Sequence, residues 1–294
     1  MKFKYVQIGA KDYKKLSEFY INVCFFKKAE DQSWLHGREG VVLKALGFEK
    51  DNPIYFGFVP ASKGNVAQIN DVGFAHTCYE TVDVCAFIKR LKKFGGSFQS
   101  TLKNPEKKPC VYCKDIEGNV VEFHIPFPSK EAKIGLTISS LLGWKKDKAA
   151  REDVGESSIK FIHVNMISED WRSLCDFYNN CLGSTDFGKL KDHSGAFKEK
   201  VIGIKDVHVI GQHILIPDYK LSYPTFEIFT YSIKGRKNPC DENSLGINQI
   251  GFESKDFKKD LETWAKFGGK ILNKNSDFIE MEDIQSDKIL IRKI

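Results

Sequence analysis

The chain has 294 residues, 41% hydrophobic and 29% charged, with 23 Phe, 10 Tyr and 4 Trp, a composition that excludes a disordered chain because it can bury enough apolar surface to offset ordering entropy. Lys and Arg outnumber Asp and Glu 45 to 39, a net +6. The excess is scattered and never forms a basic stripe interleaved with aromatics, so no nucleic-acid partner is expected.

No run approaches the apolar length of a membrane helix, and Met1-Lys2-Phe3-Lys4-Tyr5-Val6 enters strand-like alternation with no signal-peptide block. The eight cysteines read as a reduced intracellular set. The expectation is a soluble cytoplasmic protein with no membrane partner.

In chain order, period-two patterning predicts strands over 3–9, 25–30, 34–46 and 54–59 around a helix that begins at Asp12 and carries Phe19-Tyr20. A second unit starts near His76, and its helix runs from Val84 to a Gly95-Gly96 stop. Its later strands hold Cys110-Val111-Tyr112-Cys113, a lone CxxC whose spacing puts the two thiols on opposite faces of a strand. Residues 128–158 read as a linker with a helical patch over 134–144.

A third unit begins near His163, with strands over 160–167, 185–188, 207–217 and 225–231 and a helix from Asp170 carrying Phe177-Tyr178. A fourth begins near Gln249, and its helix ends at Phe267-Gly268-Gly269 as the second unit's does at Phe94-Gly95-Gly96. The repeat organises the chain. Residues 1–127 and 159–294 form two copies, each of two strand–helix–strand–strand–strand units, and the fold class is α+β.

These units, with Asp…Phe-Tyr on the first helix and Asp115-Ile116-Glu117-Gly118-Asn119-Val120-Val121-Glu122 before a last strand, resemble the vicinal oxygen chelate superfamily. Its members include glyoxalase I, epimerases, extradiol dioxygenases and bleomycin and fosfomycin resistance proteins. The resemblance implies four βαβββ units in two paired, cup-shaped sheets. It also implies a metal held by His or Gln on each first strand and Glu on each last strand.

Carried over residue by residue, it gives Tyr5 and Phe56 in the first unit, His76 and Glu122 in the second, His163 and Glu227 in the third, and Gln249 and Leu290 in the fourth. Pairing in chain order leaves two incomplete sites. Crossed pairing puts His76, Glu122, His163 and Glu227 together and leaves Tyr5, Phe56, Gln249 and Leu290 as a degenerate second site. The residues favour the crossed arrangement.

Both glutamates lie on otherwise apolar strands, where an unpaired charge is costly. The cofactor implied is a divalent metal, with zinc, nickel, manganese, cobalt and iron all suited to this ligand set. The interval from His163 to Gln249 exceeds that from Tyr5 to His76 by about 15 residues, falling near 191–204, a loop expected over the mouth of the cup. His193 from that loop and His213 are candidate substrate contacts.

The implied activity is glyoxalase-like lyase or isomerase chemistry through a metal-bound enediolate on a small oxygenated molecule, with Glu122 or Glu227 as base. The rival is a sequestration protein of bleomycin-resistance type, binding a planar ligand among Tyr5, Phe56, Phe74 and Trp264 without turnover. Either form is compatible with a monomer or a homodimer.

Overall fold

The structure is a computed structural model that describes residues 1–47, 49, 52–105, 108, 110–125, 159–219, 223–238 and 240–294. The expected linker at 128–158 and its helical patch lie outside the described residues.

The first unit runs β1 (Lys2–Ala10), α1 (Tyr13–Cys24), β2 (Lys27–Lys28), β3 (Val41–Ala45) and β4 (Ile54–Pro60). The second runs β5 (Gly73–Thr81), α2 (Val84–Lys93), β6 (Ser97–Phe98), β7 (Cys110–Lys114) and β8 (Val120–His124). The third runs β9 (Ile159–Ile167), α3 (Trp171–Leu182), β10 (Thr185–His193), α4 (Ala196–Ile202), β11 (Val209–Leu215) and β12 (Thr225–Tyr231). The fourth runs β13 (Gly246–Ser254), α5 (Phe257–Lys266), β14 (Lys270–Lys274), β15 (Phe278–Glu282) and β16 (Lys288–Lys293).

The four unit helices start alike because Asp12, Asp83, Asp170 and Asp256 each accept from a first-turn backbone N–H, satisfying donors that the helix itself leaves free. α2 and α5 are followed by Gly95 and Gly268 at positive φ. Three expected strands are redrawn. The strand expected over 34–46 divides into a 3-10 turn at Ser33–Leu35 and β3. The one expected over 25–30 shrinks to β2, and the one expected over 185–188 lengthens to β10.

The strands form two eight-stranded sheets, ordered β14-β15-β16-β13-β1-β4-β3-β2 and β10-β11-β12-β9-β5-β8-β7-β6. The first unit therefore pairs with the fourth and the second with the third, through antiparallel β1–β13 and β5–β9. This is the crossed arrangement. Within each unit the first strand lies parallel to the last.

One face of each sheet meets the other sheet and the helices. Phe3 and Phe226 lie 5.0 Å apart between ring centroids, Phe56 and Phe161 5.4 Å, and Phe226 and Phe252 6.1 Å. Leu16, Phe177, Leu91 and Trp264 from the helices complete this core. The opposite faces curl into cups.

The Asp115 motif builds a turn across the sheets. Asp115 accepts from the backbone N–H groups of Glu117 and Asn119 (both 2.9 Å), from Asn119 Nδ2 (2.7 Å) and from Tyr20 Oη on α1 (3.1 Å). The fourth unit repeats it with Asp283, to which Tyr178 Oη donates at 2.8 Å. There, however, Asp287 stands in the place of Asn119, so two buried carboxyls share one turn.

Burial, reinforced by the charge of Asp287, pushes Asp283 up to about 8, and burial pushes Asp287 up to about 6. An acid whose folded pKa is raised destabilises the fold as pH climbs from its unfolded value, about 4, through the folded one. Asp287→Asn is expected to stabilise the protein on the order of 2 kcal/mol at pH 7.5 and little at pH 4.5. Urea unfolding at the two pH values checks this, and equal shifts at both would refute it.

Candidate metal centre

Strand pairing decides which side chains face each cup. In the second unit Cys78, two residues after His76, sits beside Glu122 on the parallel neighbour. In the third Asn165, two after His163, sits beside Glu227. Both histidines also follow a β-bulge. The pairing of β5 with β9 leaves Ala75 and Ile162 as the extra residues, and such bulges re-aim the side chains next to them.

His76, Glu122, His163 and Glu227 consequently converge on the floor of the cup formed by β5, β8, β9 and β12. One ligand atom from each lies within 4.8 Å of the others, and all four residues are buried. His76 Nε2 is 3.2 Å from Glu122 Oε2 and 3.7 Å from Glu227 Oε2; His163 Nε2 is 3.3 and 3.4 Å from the same two oxygens.

The remaining carboxylate oxygens are held differently. Cys110 donates its S–H to Glu122 Oε1 at 2.9 Å. His213 Nε2 lies 3.1 Å from Glu227 Oε1, and Asn165 Nδ2 donates to Glu227 Oε2 at 2.9 Å.

Burial opposes the charge on Glu122 and Glu227, yet the neighbouring histidines hold both carboxyls well below the usual range. Burial alone would lower His163, but the charges of Glu227 and Glu122 beside it raise it to about 9. The donors fit a divalent cation. His163 Nε2 is buried, near both carboxylates, and correctly aligned for a hydrogen bond with neither. Two neutral imidazoles and two carboxylates would also cancel a double positive charge.

Above this floor opens a cavity of about 300 Å³, with Phe187, Tyr223 and Phe229 in its walls and Lys191, His193, Lys198 and His213 among its polar lining. Both expected contacts, His193 and His213, line it. The region expected as a loop at 191–204 instead completes β10 and forms α4. The CxxC thiols do point to opposite faces. Cys113 is buried in the intersheet core, whereas Cys110 faces the cup.

Sequence reasoning missed Cys110, Asn165 and Lys198 as parts of this site. The signals were a residue two strand positions after a candidate histidine and a cysteine two before Tyr112, which pairs with Glu122.

The outer cup, of β1, β4, β13 and β16, follows the same frame. Bulges at Lys4 and Asn248 precede Tyr5 and Gln249, and Leu290 sits beside Gly251, two after Gln249. The corresponding neighbour of Gln7, two after Tyr5, is Gly57. Phe56 is thus one residue out of place, its ring turned into the intersheet core, and Gly57 occupies the position given above to Phe56.

A Cβ added at Gly57 would overlap the Tyr5 hydroxyl, so the tyrosine fills the space of the missing carboxylate. Trp34 from the 3-10 turn stacks on Tyr5 at 4.8 Å and 9°. Leu35, Val42, Val59 and Leu290 close the rest. The aromatic binding pocket expected from Tyr5, Phe56, Phe74 and Trp264 does not form, because all four are fully buried in packed cores.

Two cups on a common βαβββ frame, one polar at its floor and one filled, define the class of protein. Residues 2–123 match the family model of the Glyoxalase/Bleomycin resistance protein/Dioxygenase superfamily. It is similar to a point mutant of glyoxalase I from Zea mays, with TM-score 0.62 and 14% identity over 99% of this chain and 93% of that one. Glyoxalase I from Zea mays without that mutation gives 0.59 and 14% over 99% and 92%. A proposed dioxygenase from Bacillus subtilis gives 0.58 and 15% over 100% and 85%. These likenesses are of fold, which hosts many chemistries. No curated protein matches the sequence.

Because the outer cup is a packed core, Trp34→Ala is expected to cost about 3–5 kcal/mol in chemical unfolding while leaving ligand and metal binding at the inner cup unchanged. A loss of binding without a loss of stability would contradict that division.

Proposed function

We propose that the protein is a divalent-metal-dependent enzyme of glyoxalase type, a lyase or isomerase acting on a small oxygenated substrate at one site built from the second and third units. The observation that carries this reading is the buried set His76, Glu122, His163 and Glu227, with ligand atoms within 4.8 Å of one another at the floor of a cavity. A divalent cation held by these four would supply Lewis acidity toward adjacent substrate oxygens.

The two carboxylates take different parts. Glu227 is fixed by Asn165 and His213, whereas among the described residues Glu122 is met, beyond the two histidines, by the thiols of Cys110 and Cys78, which are weak donors. Glu122 is therefore the freer of the two and acts as the base that takes a proton from carbon beside the substrate carbonyl. Phe187 and Phe229 give the cavity above it apolar walls. Eight free cysteines suit work in the reducing cytoplasm, as a monomer or homodimer.

Elemental mass spectrometry after loading with divalent ions and desalting is expected to find about one equivalent of metal per chain, the stoichiometry of a single four-ligand site. No bound metal would overturn the reading. Glu227→Gln is expected to abolish metal retention. Glu122→Gln is expected to keep weakened binding and lose turnover in a screen of hemithioacetals and acyl-CoA thioesters.

A second expectation follows from His163. Its folded pKa of about 9 means that the metal-free site holds a proton at neutral pH which a cation must expel. Metal affinity is expected to rise by about tenfold per pH unit up to pH 9 and then level. Calorimetry in buffers of differing ionisation heat measures this, and a pH-independent affinity would refute it.

A further inference from the structure

The segment between β10 and β11 is built into the opposite wall of the cup. α4 buries Val201 and Ile202 against Tyr112, Val120, Phe229 and Tyr231. Its last carbonyls are capped from the second unit. Ser100 Oγ donates to Val201 O at 2.6 Å, the Thr101 backbone N–H to Lys200 O at 2.9 Å, and Gln99 Nε2 to Ile202 O at 3.3 Å. Residues three and four apart share a helix face, so the burial of Val201 and Ile202 carries Lys198 inward with them. Lys198 then lines the same cavity as the His/Glu floor, together with Lys191 and His193 from β10.

Among the described residues neither Lys191 nor Lys198 makes an ion pair. Asp192, the acid between Lys191 and His193, turns instead to His208 at 2.7 Å. His193 is held below its ordinary pKa by burial and then by the charges of Lys198 and Lys191, with Glu227 and Asp192 opposing. The remaining acids of the cavity, Glu122 and Glu227, lie on its floor against the histidines.

We propose that Lys191, His193 and Lys198 form an anion-binding subsite at the mouth of the cup, so that the substrate bears a carboxylate or phosphate at the end remote from its reacting oxygens. A cavity of about 300 Å³ limits that substrate to a small molecule, with an apolar middle to match Phe187 and Phe229. The assignment deepens the metalloenzyme reading and rests on it for the reacting end alone.

The test titrates metal-loaded protein by calorimetry with benzoate, phenylphosphonate and neutral benzyl alcohol, then repeats the series with Lys191→Gln/Lys198→Gln. Both anions are expected to bind, and the double replacement to weaken them by about tenfold or more while benzyl alcohol is unaffected. The anion with the lower Kd identifies the substrate's group as carboxylate or phosphate.

The same comparison in Glu122→Gln/Glu227→Gln protein, which lacks the metal ligands' charge, separates the two ideas. Loss of anion binding with the lysines in that background supports the subsite even if the parent protein takes up no metal. Anion binding that ignores the lysines, or no anion binding at all, overturns the subsite whatever the metal content. Lys198→Met, which keeps the helix and its packing, serves if the double variant does not fold.

Discussion

Glu122 and Glu227 project from apolar strands to the floor of one cup, each buried and each within reach of the same pair of imidazoles. Burying two facing carboxylates is tolerable only if positive charge is shared between them, and much of the surrounding structure answers to that demand. The histidines follow bulges that aim them at the carboxylates, His213 and Cys110 take up the oxygens that face away, and Asn165 donates to the Glu227 oxygen that faces the histidines. The outer cup meets the same demand by removal. Gly57 and Leu290 replace the acids, and Tyr5 and Trp34 pack where charge would have been. One frame thus supports a charge-balanced floor and a charge-free one.

Much of this was legible in the sequence because it depends on local chemistry that repeats. The Asp residues that open the helices, the Phe-Tyr pairs and the Asp115 turn are each satisfied by nearby backbone or by one partner helix. The complementary distribution of His and Glu, present in the second and third units and missing from the first and fourth, pointed to crossed sheets, and the strand order is crossed.

What escaped was set by pairing between distant strands. Counting along the chain from a helix chose Phe56, but the parallel register of β1 with β4 puts Gly57 at that position. Alternation cannot reveal a bulge, since the extra residue exists only relative to a partner strand. Trp34 lies in a stretch rich in β-formers, yet it enters the outer cup from a 3-10 turn because stacking on Tyr5 buries it completely. α4 was hidden for the same kind of reason, its inward face being defined by a wall contributed from another unit.

The crossing of the sheets also governs how the protein is made. β1 and β5, nine residues each, find their antiparallel neighbours in β13 and β9, which the ribosome delivers only after residue 158. Until then a nascent chain carries two long, unpaired strand edges at the middle of its future sheets, the kind of surface that recruits other chains. Its first half is thus a pair of open templates rather than a finished domain. Neither sheet is complete until the second half supplies β13 and β9, so the order of synthesis runs against the order of pairing.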